Sequence, residues 1–274
     1  MHNVHHITSL DATGIQPYRT LRRPLEHQRR GLLVAEGEKV VRRLLSSPLQ
    51  VRSLLLTPEW RERMTPLLEA GAAPGAEIFV TSRALLQEIV GFRFHQGIMA
   101  LAEVPPEPMT DALPSPHLLV ALDGLAHAEN VGVVLRNAAA LGADGIIVGE
   151  TSASPFLRRA VRNSMGAVFR LPVFHPASLS RMLGELWEHH GTRIIAADAS
   201  GSTPLAEAEL GGNLCVVVGN EQEGIAPEIL ERCTARVRIP MDREIDSLNV
   251  ASALAVLLYA IRTLRMNREA AAPR

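Results

Sequence analysis

Apolar residues in this chain fall into two alternating kinds of run: short continuous blocks, and longer stretches in which they recur every third or fourth position. The first kind suits strands and the second helices, because side chains repeat every two residues in a strand and about every 3.6 in a helix. The spacing predicts a helix over residues 17–30, a strand over 32–35, a helix over 38–45, a strand over 51–56 and a helix over 59–70. A strand over 76–80, a helix over 82–90 capped by Ser82, and a closing strand over 92–104 complete this half. Strands alternating with helices over about a hundred residues make a small α/β domain, here residues 1–104. Five prolines then fall between Pro105 and Pro116. Proline lacks a backbone N–H and cannot continue a helix or a central strand, so 105–116 reads as a linker.

From residue 117 the alternation resumes with more apolar strands. Strands are expected at 117–122, 145–148, 169–174, 193–197, 214–219 and 236–239, and helices at 130–141, 155–165, 178–189 and 227–233, with a long apolar helix at the C-terminus. Continuous runs such as IIAA and CVVV are what strands buried on both faces require. The second half, 117–274, is therefore expected to be an α/β domain, a parallel sheet with helices on both faces and its ligands at the carboxyl ends of the strands.

Three polar clusters fall at such strand ends. In DGLAHAENVGVVLRNAAALG, Glu129 and Asn130 precede a helix carrying Arg136 and Asn137, with Asn130 read as a residue at the helix mouth. In VVVGNEQEGI an apolar strand breaks into Gly219, Asn220, Glu221 and Gly224, bringing backbone close to a ligand and adding an amide and a carboxylate. In RIPMDREIDSLNVASALAVLLYAI a strand end, a charged turn opened by Pro240 and the start of the long helix bring Ser247 and Asn249 together. Alone, that stretch reads either as a ligand site or as a helix N-terminus capped by Asp246 or Ser247.

An apolar fraction of 47% supports a globular core, and the apolar run 250–261 is shorter than the roughly 20 residues of a membrane span. MHNVHHITSL lacks a basic region followed by an apolar block, so no secretory signal is expected. Cys215 and Cys233 suit buried thiols in a reducing cytoplasm rather than a disulfide framework. The histidines lack metal-ligand spacing, so no metal is expected, and His2, His5 and His6 read as a disordered terminus. Net charge is −1, yet the cations are almost all arginine and cluster. One group is Arg19, Arg22, Arg23 and Arg30, extended by Arg29, Arg42 and Arg43; a second is Arg158, Arg159, Arg162 and Arg170, where no acidic residue falls between Thr151 and Leu183. Guanidinium groups grip phosphates bidentately, which fits a polyanion; solvated helix faces would carry the same residues. No glycine-rich dinucleotide or phosphate loop and no nucleophile elbow is present.

Taken in order, ENVGVVLRNAAALGADGIIV, VVVGNEQEGI and IPMDREIDSLNVASALAVLLY resemble the three motifs of the SpoU/TrmH-type RNA ribose 2′-O-methyltransferases of the SPOUT superfamily. SPFLRRAVRNSMGAVFRLPV, between the first two, is similar to the family's strand-linking segment. ITSL, LLVAEGEKVVRRLL and FHQGIMALAEV resemble, less sharply, its ribosomal-protein-like (L30e-like) RNA-binding domain. The resemblance implies a deep trefoil knot in the C-terminal domain, S-adenosyl-L-methionine as cofactor, and a homodimer with sites near the subunit interface. It assigns catalysis to Arg136, with Asn130, Glu221, Ser247 and Asn249 orienting it and the ribose. It gives cofactor contacts, largely through backbone, to Ala197, Gly219, Asn220, Ile239 and Leu248. From the charge clusters, the expected RNA contacts are Arg19, Arg22, Arg23, Arg30, Arg158, Arg159 and Arg162. The turn from Asp242 to Asp246 departs from the glycine common in relatives and bears on cofactor access. Ribosomal RNA of the large subunit is the favoured substrate, with transfer RNA second; a non-catalytic RNA-binding or ribosome-assembly factor on the same fold is the alternative.

Overall fold

In a computed structural model of the chain, the described residues are 2–21, 23–93, 96–242 and 247–271, without the side chains of residues 24, 25 and 268–271. The expected RNA contact Arg22, the alternative cap Asp246 and most of the charged turn, residues 243–246, lie outside them. The chain divides into two compact units, Met1–Pro106 with Phe156–Arg170, and Glu107–Pro155 with Leu171–Arg274.

The first unit opens with Val4–His6 (β1), Gln16–Arg19 (α1), Pro24–Arg29 (α2), Leu32–Glu36 (β2) and Glu38–Leu45 (α3). Val51–Leu56 (β3), Pro58–Glu69 (α4), Glu77–Val80 (β4), Arg83–Val90 (α5) and Ile98–Glu103 (β5) follow. Its sheet runs β1-β4-β3-β5-β2, with β1, β4 and β3 parallel and β5 antiparallel to both neighbours. The terminus expected to be disordered is thus a strand, in which His5 stands 3.7 Å from Glu77 and its ring 5.4 Å from Phe79. The helix expected over 17–30 is two short ones. Pro24 cannot donate to the preceding turn and pushes Arg23 out of the helical region, so the chain restarts there. On α3, Val40, Val41, Leu44 and Leu45 form one buried stripe, and α5 is capped by Ser82, which accepts the Leu85 N–H at 3.2 Å. Ile15, Tyr18, Val34, Leu55, Phe79, Leu86 and Met99 meet in the core.

The second unit holds Leu118–Leu122 (β6), Ala128–Ala140 (α6) and Gly145–Val148 (β7). Arg158–Asn163 (α7) lies in the segment that belongs to the first unit. Val173–Phe174 (β8), Leu179–His190 (α8), Arg193–Ala197 (β9), Thr203–Pro204 (β10), Leu214–Val218 (β11), Pro227–Leu230 (α9), Ala235–Arg238 (β12) and Val250–Ala271 (α10) complete it. All seven strands are parallel, in the order β10-β12-β9-β11-β6-β7-β8. The continuous apolar runs are its centre: Leu119, Ala121, Ile194, Ala196, Cys215 and Val217 share one core with Leu183 and Leu186 of α8. Several expected elements shrink, among them the helix at 155–165, which keeps only Arg158–Asn163. The strand at 169–174 keeps only its last two residues because Ala167–Phe169 coil into a 3₁₀ turn, and the helix at 227–233 ends at Leu230.

The helix α10 outruns the apolar block seen in sequence, and its window Val250–Asn267 is long and apolar enough to cross a membrane by length and composition. Leu254, Leu258 and Ile261 on it are nevertheless fully buried, each worth about 1.5–3 kcal/mol of transfer energy. It also packs beside α6, where Asn137 donates to the Ala251 carbonyl at 2.8 Å and Arg262 to the Ala140 carbonyl at 3.2 Å. The latter places a cation on the negative end of α6.

Candidate active site

The carboxyl ends of β9, β11 and β12 open onto a cavity of about 660 Å³ within the second unit. Three loops and the start of α10 wall it. Ala197 and Asp198–Ser200 come from the end of β9, Gly219–Ile225 from β11, Ile239 and Met241 from β12, and Ser247–Val250 with Ala253 and Leu257 from α10. All five residues expected to touch a cofactor, Ala197, Gly219, Asn220, Ile239 and Leu248, line it, as do Glu221, Ser247 and Asn249.

The wall after β11 is held from within and from behind. Asn220 and Gly224 exchange backbone hydrogen bonds of 2.9 and 3.0 Å, closing a tight turn. The side chain of Asn220 accepts the N–H groups of Gln222 (2.8 Å) and Glu223 (3.1 Å) and donates to the Gly124 carbonyl at 2.8 Å. Its amide thus shapes the loop. A Cβ on Gly219 would stand 2.4 Å from the backbone of Gly224, so only glycine lets the two ends of the turn approach. Behind it, the buried carboxylate of Asp123 accepts the Ala226 N–H at 2.7 Å. Burial raises its pKa, and the Ala226 hydrogen bond only partly opposes that.

On α6, Asn130 donates from Nδ2 to the Glu221 carboxylate, tying the first motif to the second. Asn130 lies inside α6, not at its mouth, because the helix already starts at Ala128. Arg136, six residues on, is exposed and does not line the cavity; 600° of rotation along a regular helix turns it away from Asn130. Asn249 is the cap of α10: its Oδ1 accepts the Ala251 N–H at 3.0 Å, and its carbonyl accepts from Ser252 and Ala253 at 2.9 Å each. The cap expected at Asp246 or Ser247 is displaced because α10 begins only at Val250. Asp198, Ala199 and Ser200 are cavity residues that the sequence does not single out. Their only signal is a polar turn after an apolar strand.

The arginines expected to meet RNA are in the first unit. Arg19 is exposed and donates to the Leu10 carbonyl at 3.1 Å, while Arg23 and Arg30 flank Glu26 at 4.0 and 3.3 Å; Arg19 ends α1 and the other two bracket α2, so the three do not share one continuous helix. Arg158 and Arg162 both approach the buried Glu36, at 2.6 and 3.5 Å, and the Arg158 guanidinium stacks 4.6 Å over Phe92. Arg159 is exposed. Among the described residues no group of three or more His, Cys, Asp or Glu is placed to hold a metal.

Comparison with known proteins fits this architecture. Residues 117–259 match the SpoU rRNA Methylase family, and residues 34–108 match the RNA 2′-O ribose methyltransferase substrate-binding family. An uncharacterized tRNA/rRNA methyltransferase of Mycobacterium tuberculosis is 34% identical over 243 residues, covering 87% of this chain and 83% of that protein. The AdoMet-bound rRNA methyltransferase of Sinorhizobium meliloti superposes with a TM-score of 0.82 at 26% identity, over 95% of this chain and 98% of the other. A solved RNA 2′-O ribose methyltransferase gives a TM-score of 0.77 at 28% identity, over 96% and 100%. Fold and site together define an RNA methyltransferase built as a substrate-binding unit and a parallel-sheet methylase unit. The chain belongs to the SpoU methylase family.

Proposed function

We propose that the protein transfers a methyl group from S-adenosylmethionine to a ribose 2′-hydroxyl of RNA, with ribosomal RNA favoured over transfer RNA. The observation that carries this is the convergence of three distant motifs on one cavity: Asn130 on Glu221, Gly219 in the turn beside it, and Asn249 at the start of α10. The cavity fits the cofactor in kind. Its volume suits a small molecule, and it offers backbone groups at strand ends and a helix start, apolar side chains from Val218, Ile239 and Leu248, and carboxylates. When bound, S-adenosylmethionine supplies an electrophilic methyl on a sulfonium.

The chain's own residues do the rest. Asn130 fixes the Glu221 carboxylate, which with Ser247 accepts hydrogen bonds at the rim and orients the sugar. Arg136, exposed on α6, grips substrate phosphate and stabilises the alkoxide developing at the 2′-oxygen, a role that suits the planar fork of donors on a guanidinium. The arginines of the first unit hold the polyanion. The active form is a homodimer: Val256 (42% exposed), Tyr259 (65%), Leu264 (40%) and Met266 (57%) give α10 an apolar outer stripe for a second copy. The knotted threading implied by the motifs belongs to the same reading.

Incubation with S-adenosylmethionine labelled in its methyl group and total RNA should place label on ribose 2′-oxygens, detected as alkali-resistant dinucleotides. Arg136→Ala should reduce it by at least about 10²-fold. Label on bases, or label confined to transfer RNA, refutes the reaction or the substrate respectively.

A further inference from the structure

Among the described residues, four ionisable side chains line the cavity: Asp198, Glu221, Glu223 and Arg236. Three are acidic and one is basic. Glu221, Glu223 and Arg236 are exposed, so water screens them, whereas Asp198 is half-buried and held in place. Its backbone N–H donates to the Val237 carbonyl at 3.0 Å, and its carbonyl accepts the Gly201 N–H at 3.0 Å. Its Oδ1 accepts both the N–H and the hydroxyl of Ser200 at 2.8 Å. Gly201 locks the turn, since a Cβ there would stand 2.6 Å from the Arg236 carbonyl oxygen. Arg238, at the end of β12 and not among the lining residues, is turned onto the Gly201 and Ser202 carbonyls at 3.0 Å each. Among the described residues, a fixed carboxylate with little neutralisation from its neighbours therefore faces the cavity.

Methyl transfer changes the charge of whatever fills that space. The donor carries a cationic sulfonium; the product left behind is a neutral thioether, otherwise the same molecule. Coulomb attraction reaches across a cavity of this size without direct contact, so a preorganised negative charge on the wall favours the donor. On the reading that this cavity is the cofactor site, we propose that Asp198 is a charge-selecting residue that holds the sulfonium donor in preference to the spent thioether. The sequence around it gives no hint of this role, and it leaves the chemistry at the RNA to other residues.

The test is titration calorimetry on the full-length protein with S-adenosylmethionine and, separately, S-adenosylhomocysteine. In Asp198→Asn, which keeps an acceptor for Ser200, donor affinity should fall roughly tenfold while product affinity changes by less than about twofold, the loss expected of one partly screened charge. In the wild type, the preference should shrink as salt is raised from about 0.01 M to about 1 M, which tests the idea with no substitution at all. Equal weakening of both ligands in the variant, or a salt-independent preference in the wild type, overturns the proposal and leaves the cofactor reading standing. Binding of neither ligand by the wild type overturns both.

Discussion

Gly219 is the position at which the geometry of the cavity can be tested most directly. An added methyl group in Gly219→Ala would lie 2.4 Å from the carbonyl carbon and oxygen of Gly224 and 2.5 Å from the Ile225 nitrogen. These are backbone atoms, so no rotamer change relieves the clash. Ordinary contact begins near 3.4 Å, and one side of the turn must move by about 1 Å. The Asn220–Gly224 hydrogen bonds, now 2.9 and 3.0 Å, would then stretch beyond useful length. At about 0.5–1.5 kcal/mol each, their loss sets a cost of about 1–3 kcal/mol. Glu221–Gly224 are exposed and free to yield toward solvent, so the stability loss should sit at the low end. The displaced wall is the one that lines the cavity, and the affinity loss should be larger than the stability loss. Urea unfolding and calorimetric binding of S-adenosylmethionine measure the two separately. A variant with wild-type midpoint and wild-type affinity would refute the claim that the turn is packed backbone to backbone.

Two further substitutions probe what lies behind and beneath the cavity. Asp123→Ala removes the acceptor of the Ala226 N–H and should cost about 1–3 kcal/mol, whereas Asp123→Asn keeps an acceptor and sheds a buried charge, so it should cost less at pH 8. Because burial raises the Asp123 pKa, its contribution is full below the ordinary value of 3.8 and is lost as pH rises through the folded value; the Asn variant should lack that fall in urea unfolding followed upward from pH 3.8. His117, 1% exposed, donates from Nδ1 to the Pro114 carbonyl at 3.0 Å, and its Nε2 lies 2.8 Å from the Thr192 hydroxyl. Burial lowers its pKa, and the unfolded chain therefore takes up the proton first: stability is full above about pH 6.5 and falls as pH drops below it. His117→Gln should flatten that fall in thermal melts between pH 7 and pH 5, and an unchanged profile would show that the proton is taken up elsewhere.

The parts of the fold legible in the sequence are those whose signal is local and strong. The blocks LLVAL, GIIV, RIIAA and LCVVV could be read as central parallel strands because strands covered on both faces must be apolar throughout. Strand β1 was hidden because an exposed edge strand of Val and two His has no such requirement. Thr203–Pro204 was hidden because two residues carry no period. Pro24 did announce the break between α1 and α2, but the arginine spacing across it mimics a continuous helix face. For the site, the polar residues following β11 and preceding α10 stood out against their apolar neighbours. The bond from Asn130 to Glu221 joins residues 91 positions apart, and the brace from Asp123 to Ala226 joins residues 103 apart; no local pattern encodes either. Asp198 was silent because a short polar turn after a strand is common whether or not it binds anything.

The seven-stranded sheet ends on a two-residue strand at each edge, β10 on one side and β8 on the other, and β10 includes a proline. A sheet edge is a row of unpaired donors and acceptors on which a foreign strand can grow, and its danger scales with its length. Strands with a strong appetite for such pairing, β6 and β11, are apolar and buried at every position and are locked in the interior of the array. The finished sheet therefore offers an incoming strand only two ladder positions at either margin. Its exposure to aggregation falls instead in the interval during folding before β8 and β10 have docked, when the flanks of β7 and β12 are still open.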